Sequence, residues 1–290
     1  MGKQRSVTGA FRGNGFHWVG DGFHVTNLFP SGVNLGSRIS PFLLMDYHAP
    51  YEYTPTGRPR GVGVHPHRGF ETVTLAFEGA LAHHDSTGAG GIIRPGDVQW
   101  MTAAEGILHK EYHEAEWARG GGTMHMMQLW VNLPAAEKMA PPGYQPLLAT
   151  DMGHVDLPGG AGSVRVVAGE HGGAKGPART FTPINLWDVE LAPGGHLESG
   201  FPAHENTALF VLEGEVRAGD TVGGAQSLVL FEHDGSEISV ESEQGARFLV
   251  LNGEPIAEPV VSYGPFVMNT KDEIIRAFED FEAGRFGHLV

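Results

Sequence analysis

Gly63-Val64-His65-Pro66-His67-Arg68-Gly69-Phe70-Glu71-Thr72-Val73-Thr74-Leu75-Ala76-Phe77-Glu78-Gly79 is the stretch from which the fold is best read. Residues 71–77 form a brief run of β-branched and apolar side chains closed by a Glu-Gly turn, the pattern of a β-strand. The device recurs. With Glu78-Gly79 laid on Glu213-Gly214, residues 75–81 match residues 209–216 with one residue of slippage. Each is a strand running into a glycine turn and out again, and repeated units of this kind predict two similar barrels or sandwiches in tandem.

Working outward, 43 glycines and 19 prolines cut the chain into short segments. Strands are expected at 71–77, 97–102, 126–133 and 247–252, so the fold class is all-β. Residues 134–146, rich in Pro and Ala, read as an interdomain linker with a helical turn. The expected domains are therefore 1–135 and 136–290. A helix should close the second: Thr270 and Glu273 form a capping box, and Ile274, Ile275, Phe278 and Phe281 give one apolar face ending near Gly284.

At 290 residues with 41% apolar side chains, the chain can fill a real core. Nineteen Lys and Arg against 34 Asp and Glu give a formal charge of −15, which opposes direct binding to nucleic acid or an anionic membrane. The absence of cysteine rules out disulfides, thiolate ligands and Cys nucleophiles, so any metal must be held by His and carboxylate. No apolar run reaches the ~18 to 20 residues needed to span a bilayer, and no secretory h-region is present, so the cytoplasm is expected.

Sixteen histidines are available for such a site. His65, His67 and Glu71 share parity and would face one side of a continuous strand, and His109 and Glu111 repeat the i, i+2 spacing. Two strands offering such pairs to one interior can converge three imidazoles and a carboxylate on one ion. That donor set suits Fe(II), Mn(II), Ni(II), Cu(II) or Zn(II) and leaves an octahedral metal two open positions. Glu71 and Glu111 are rival carboxylates. His83-His84-Asp85, beside a turn, reads as a solvated edge, while His113 and His125 read as cavity mouth or surface. Trp100, Met101 and Trp130 read as core, and Gln128 as a buried amide able to orient a ligand.

His65-Pro-His-Arg-Gly-Phe-Glu-Thr-Val-Thr74, Pro95-Gly-Asp-Val-Gln-Trp-Met-Thr-Ala103 and Gly106-Ile-Leu-His-Lys-Glu111 closely resemble the pirin family of the cupin superfamily. So do Gln128-Leu-Trp-Val-Asn-Leu-Pro134 and Gly264-Pro-Phe-Val-Met-Asn-Thr270. The resemblance implies two tandem cupin barrels, jelly-roll double-stranded β-helices, with one iron ion, Fe(II) or Fe(III), in the N-terminal barrel. Its ligands would be His65, His67, His109 and Glu111, with Lys110 in place of the family's Ser and pointing away from the ion. Glu71 would then be structural. An offset of 135 puts Gly200, Pro202, Gln244 and Ala246 opposite the four ligands, so the second barrel is expected to be metal-free.

Two functions follow from the resemblance. The first is a quercetin 2,3-dioxygenase-type oxygenase that opens a flavonol ring with dioxygen, Glu111 acting as general base. The second is an iron-dependent redox regulator that meets a protein partner, a transcription factor or a metabolic enzyme. A deep apolar pocket would favour the first and a flat charged rim the second.

Overall fold

The structure, a computed structural model, describes residues 2–290. Its contacts form two compact units that alternate along the sequence. One holds residues 15–27, 42–149 and 256–290, and the other holds the residues up to 14, 28–41 and 150–255. They are called the first and second barrel below. Among the described residues no helix is long and apolar enough to cross a membrane.

The first barrel is built from two antiparallel sheets. Seven strands run in the spatial order Gly143–Leu147, Val98–Thr102, Phe70–Glu78, Gly122–Asn132, Phe42–Tyr53, Phe23–Phe29 and His17–Val19. The other sheet has the order Gly61–His67, Ile107–His113, Leu81–Asp85 and Gly90–Ile93. Period-two alternation decides what enters the interior. In Ile107–His113 every odd-numbered residue is buried and every even-numbered one is partly exposed, which turns His109 and Glu111 inward and Lys110 outward over the Tyr112 ring.

In the second barrel the main sheet runs Val7–Arg12, Ser227–Phe231, Asn206–Ala218, Ala246–Gly253, Ile184–Leu191, Gly162–Ala168 and Gly153–Asp156. Gly195–Gly200 pairs with Glu237–Ser242, whose other neighbour is the far end of Asn206–Ala218. The interior is apolar: Trp187, Leu197, Phe201, Ile238, Val240 and Phe248 all belong to one buried cluster. Each such side chain contributes roughly 1.5–3 kcal/mol by leaving water.

The division differs from a cut at 135/136. Residues 7–12 pair antiparallel with Ser227–Phe231 and so close an edge of the second barrel's sheet. Residues 143–147 of the expected linker form a strand on Val98–Thr102, closing the corresponding edge in the first barrel. The Pro-rich composition concealed it, because a proline is tolerated on an edge strand. The helical turn is present at Ala135–Glu137.

The C-terminal helix, Lys271–Glu282, belongs with the first barrel and carries the expected capping box. Its buried face is narrower than expected. Ile274, Ala277 and Phe278 pack against Phe266, Met268 and Phe286, whereas Ile275 is 56% exposed because it lies off the i, i+3, i+4 stripe. The two echoed glycines share a left-handed backbone, Gly79 at φ +84° and Gly214 at φ +75°, but only Gly79 turns the chain between two strands, whereas Gly214 lies within the continuous strand Asn206–Ala218.

Candidate metal centre

The site begins at the turn between His67 and Phe70. Gly69 has φ +89°, and a Cβ there would stand 1.9 Å from the Val267 carbonyl oxygen. The chain therefore turns sharply, ending one strand at His67 and starting the next, in the other sheet, at Phe70. This overturns the shared parity of His65, His67 and Glu71, which holds only within an unbroken strand. Glu71 is buried on the opposite face of its sheet, where its Oε1 accepts a 2.7 Å hydrogen bond from Thr102 Oγ1. It does not line the histidine cavity.

Buried cations hold this turn. Lys138 Nζ donates to Gly69 O and Asn132 Oδ1 at 2.7 Å and to Val267 O at 3.0 Å, and burial pulls its pKa down to about 8. Arg68 Nη1 donates to Asp280 Oδ2 at 2.8 Å and its Nε to Glu105 O at 2.6 Å. Removing Lys138 would leave three buried acceptors without this donor at the base of the His65-Pro-His67 segment.

His65 and His109 are direct cross-strand partners. The donor nitrogens of His65, His67 and His109 lie within 4.8 Å of one another. Two of the rings are oriented from behind. His65 Nδ1 donates to Gly63 O at 2.8 Å and His67 Nδ1 to Pro265 O at 3.4 Å, which leaves each Nε2 lone pair free. Fully buried His109 has no partner on either nitrogen. An unpaired buried polar atom costs about 1–3 kcal/mol, a cost that a cation accepting the lone pair would offset. Burial, reinforced by the neighbouring imidazoles, holds the His67 and His109 pKa values well below the ordinary range. These rings are neutral near pH 7, as ligation requires, and the donor set fits a divalent transition metal.

Glu111 lines the same cavity as His65 and His67. Gln128 Nε2 donates to its Oε2 at 2.8 Å and Thr74 Oγ1 to its Oε1 at 3.3 Å, while Gln128 and Thr74 are cross-strand partners. The expected orienting role of Gln128 is thus directed at Glu111. Burial raises the Glu111 pKa, opposed by the hydrogen bond from Gln128. A nearby divalent cation would reverse that shift and favour the carboxylate.

The cavity has a volume of about 350 Å³, within the usual range for small-molecule sites. Beyond His65, His67, Glu111 and Gln128, its wall is Val19, Phe23, Val25, Val62, Met126 and Trp130, with Asp46. Trp130 departs from its expected core role: it stacks on Phe70 at 4.2 Å and meets the His67 ring at 5.2 Å while presenting surface to the cavity. Trp100 and Met101 are fully buried, as expected.

The other histidines divide differently from the sequence reading. His83 is no solvated edge. It is fully buried as the cross-strand partner of Glu111, with its ring stacked on Tyr144 at 5.2 Å and 5.3 Å from His109. Burial pushes its pKa down to about 3. Alternation does hold, with His84 exposed and His83 and Asp85 buried, but the interior lies on the side of His83. His113 and His125 are buried too, bonded to Gly22 O at 2.8 Å and Tyr47 Oη at 2.9 Å, and neither lines the cavity.

In the second barrel, Leu197 faces Val240 where the first barrel sets His65 against His109. The constant offset of 135 fails here. The partner of Gly195–Gly200 is Glu237–Ser242, so Gln244 lies beyond that strand and Ala246 begins the next.

Comparison with known proteins agrees with this architecture. Residues 22–131 match the model of the Pirin family and residues 186–287 that of the Pirin C-terminal cupin domain. A candidate quercetin 2,3-dioxygenase of Pseudomonas aeruginosa is 51% identical over 282 residues, covering 97% of this chain and 98% of that protein. Human pirin is 38% identical over 256 residues, covering 86% of this chain and 84% of that protein. The crystal structure of a quercetin 2,3-dioxygenase from Acinetobacter baumannii superposes with a TM-score of 0.95 at 48% identity, covering 99% of this chain and 100% of that one. With both of its cupin domains matched and relatives aligned along nearly its whole length, the chain belongs to the pirin family.

Proposed function

We propose that this protein is an iron-dependent dioxygenase of the quercetin 2,3-dioxygenase type, with one iron held by His65, His67, His109 and Glu111. The observation that carries the reading is the cavity. An apolar chamber of about 350 Å³ opens onto the histidine cluster and Glu111, and its aromatic and aliphatic wall suits a flat phenolic substrate. Such a chamber supports turnover of a small molecule over a redox-sensing surface that meets a protein. The names of the Pseudomonas and Acinetobacter relatives support the same chemistry.

When bound, the iron supplies the Lewis-acid and redox chemistry that joins flavonol to dioxygen. The chain does the rest. Gly63 O and Pro265 O orient His65 and His67, and the turn at Gly69, locked by Lys138, sets the reach of both rings. Gln128 and Thr74 hold the Glu111 carboxylate. With the cation favouring its ionised form, Glu111 receives the proton of the substrate hydroxyl on a carboxylate that Gln128 and Thr74 hold in the cavity. Val25, Met126 and Trp130 keep water from the reacting end. The test is anaerobic reconstitution with Fe(II), then oxygen uptake against a panel of flavonols. Uptake stoichiometric with flavonol loss is expected, and a metal-replete protein that consumes no oxygen with any flavonol would overturn the reading.

A further inference from the structure

One charged side chain on the cavity wall is unused by the chemistry just described. Asp46 lies in Phe42–Tyr53 directly opposite Gln128, so the two side chains leave the sheet on the same face, into the cavity that both line. Asn27, buried in the adjacent strand, donates from Nδ2 to Asp46 Oδ1 at 2.7 Å. That bond fixes the carboxylate. Among the described residues no protein group donates to its Oδ2. The nearby wall is apolar, with Val19, Phe23, Val25 and Met126, and His17, close enough to act on Asp46 electrostatically, makes no hydrogen bond to it. Burying a carboxylate in such surroundings is costly unless a partner arrives, and here the open position is the cavity itself. Of the other polar groups on the wall, Gln128 donates to Glu111 and Thr74, the imidazoles point their free nitrogens at one another's centre, and the Trp130 indole N–H, a donor, cannot serve a substrate hydroxyl as an anionic acceptor does.

We propose that Asp46 is a specificity-determining residue whose Oδ2 accepts a hydrogen bond from a second phenolic hydroxyl of the substrate, away from the hydroxyl that meets Glu111. This rests on the flavonol reading above and deepens it. The preferred substrate is a flat polyhydroxylated aromatic gripped at two points, by Glu111 and the histidine cluster at one and by Asp46 at the other. Its faces lie against Phe23, Met126 and Trp130. A flavonol lacking the second hydroxyl leaves the Asp46 carboxylate buried without a donor and binds more weakly.

The test is calorimetric binding to the iron-loaded chain without oxygen, using quercetin, galangin (no B-ring hydroxyls), fisetin (no 5-hydroxyl) and 3-hydroxyflavone (the 3-hydroxyl alone). Asp46→Asn and Asp46→Leu are compared with wild type, metal content and thermal melts being recorded for each. Both variants should keep wild-type iron and lose about ten-fold in quercetin affinity, the scale of a hydrogen bond to a charged group. 3-Hydroxyflavone should lose little, because it lacks every hydroxyl that Asp46 could serve, and the loss for galangin and fisetin tells which hydroxyl it is. In turnover the change should fall on KM rather than kcat. A loss for 3-hydroxyflavone equal to that for quercetin, or no loss for any flavonol, overturns the role of Asp46 and leaves the flavonol reading intact. A wild-type protein that binds no flavonol overturns both.

Discussion

The two barrels share a strand plan and differ in what they enclose. In each, a central sheet is closed at one edge by a short added strand, Gly143–Leu147 in the first and Val7–Arg12 in the second. Each sets a short antiparallel pair beside it. In the first barrel that pair turns His65 toward His109 and brings Glu111 into an open chamber. In the second the pair turns Leu197 toward Val240, and Trp187, Phe201 and Phe248 fill the space. Exchanging inward imidazoles for aliphatic side chains converts a binding chamber into a hydrophobic core. The first barrel carries unpaired buried nitrogens on His83 and His109, which weaken it until a partner arrives. The second gains stability and gives up chemistry.

The comparison breaks most visibly at His109. His109→Ala should abolish iron binding and oxygen uptake together, because the ring supplies a donor from the barrel's centre and the second barrel offers no replacement. Metal analysis of the purified variant decides this, and substantial residual iron would mean that another site holds it. Glu111→Gln should act less completely. The amide oxygen can still approach the ion, but the basic oxygen is gone, so iron should be reduced yet detectable and turnover should fall by about 100-fold or more. A variant with wild-type kcat would remove Glu111 from the chemistry.

A smaller effect separates Glu71 from the site. Burial pushes its pKa up to about 7 from an ordinary 4.5, so the folded chain holds this proton more tightly than the unfolded chain. The resulting stabilisation is complete below about pH 4.5 and is lost as pH rises toward 7, an effect of up to ~3 kcal/mol. Glu71→Gln cannot ionise. Urea unfolding of metal-free protein should therefore show the variant gaining on wild type from pH 5 to pH 8, with iron binding near wild type. Parallel stability curves would show that Glu71 does not titrate in this window.

The mildest change makes the first barrel resemble the second. His109→Leu removes two unpaired nitrogens from a buried position and should stabilise the metal-free chain by about 1–2 kcal/mol while eliminating the iron site. Thermal melts of chelator-treated wild type and variant measure it. A destabilised variant would mean that the imidazole is better accommodated without metal than its unpaired nitrogens indicate.

Much of this was legible in the residues. His65-x-His67 and His109-x-Glu111 each lie within one unbroken strand, so period-two alternation carried them to one interior. The same rule misleads at Glu71, where Gly69 interrupts the strand, and at His83-His84-Asp85 it sets the two histidines on opposite faces without telling that the face of His83 and Asp85 is the buried one. Asp46 went unnoticed because a single acid in an apolar segment gives no local sign of facing a cavity. That depends on cross-strand register with Gln128. Domain limits were hidden for a similar reason, since pairing of residues 7–12 with Ser227–Phe231 joins positions more than 200 apart.

The central claim, that the first barrel alone holds the reactive metal, is tested most directly by anaerobic titration of the metal-free chain with Fe(II) in a calorimeter. One tight site per chain is expected in wild type, with none in His109→Ala. Two tight sites in wild type, or one surviving in the variant, would contradict the account.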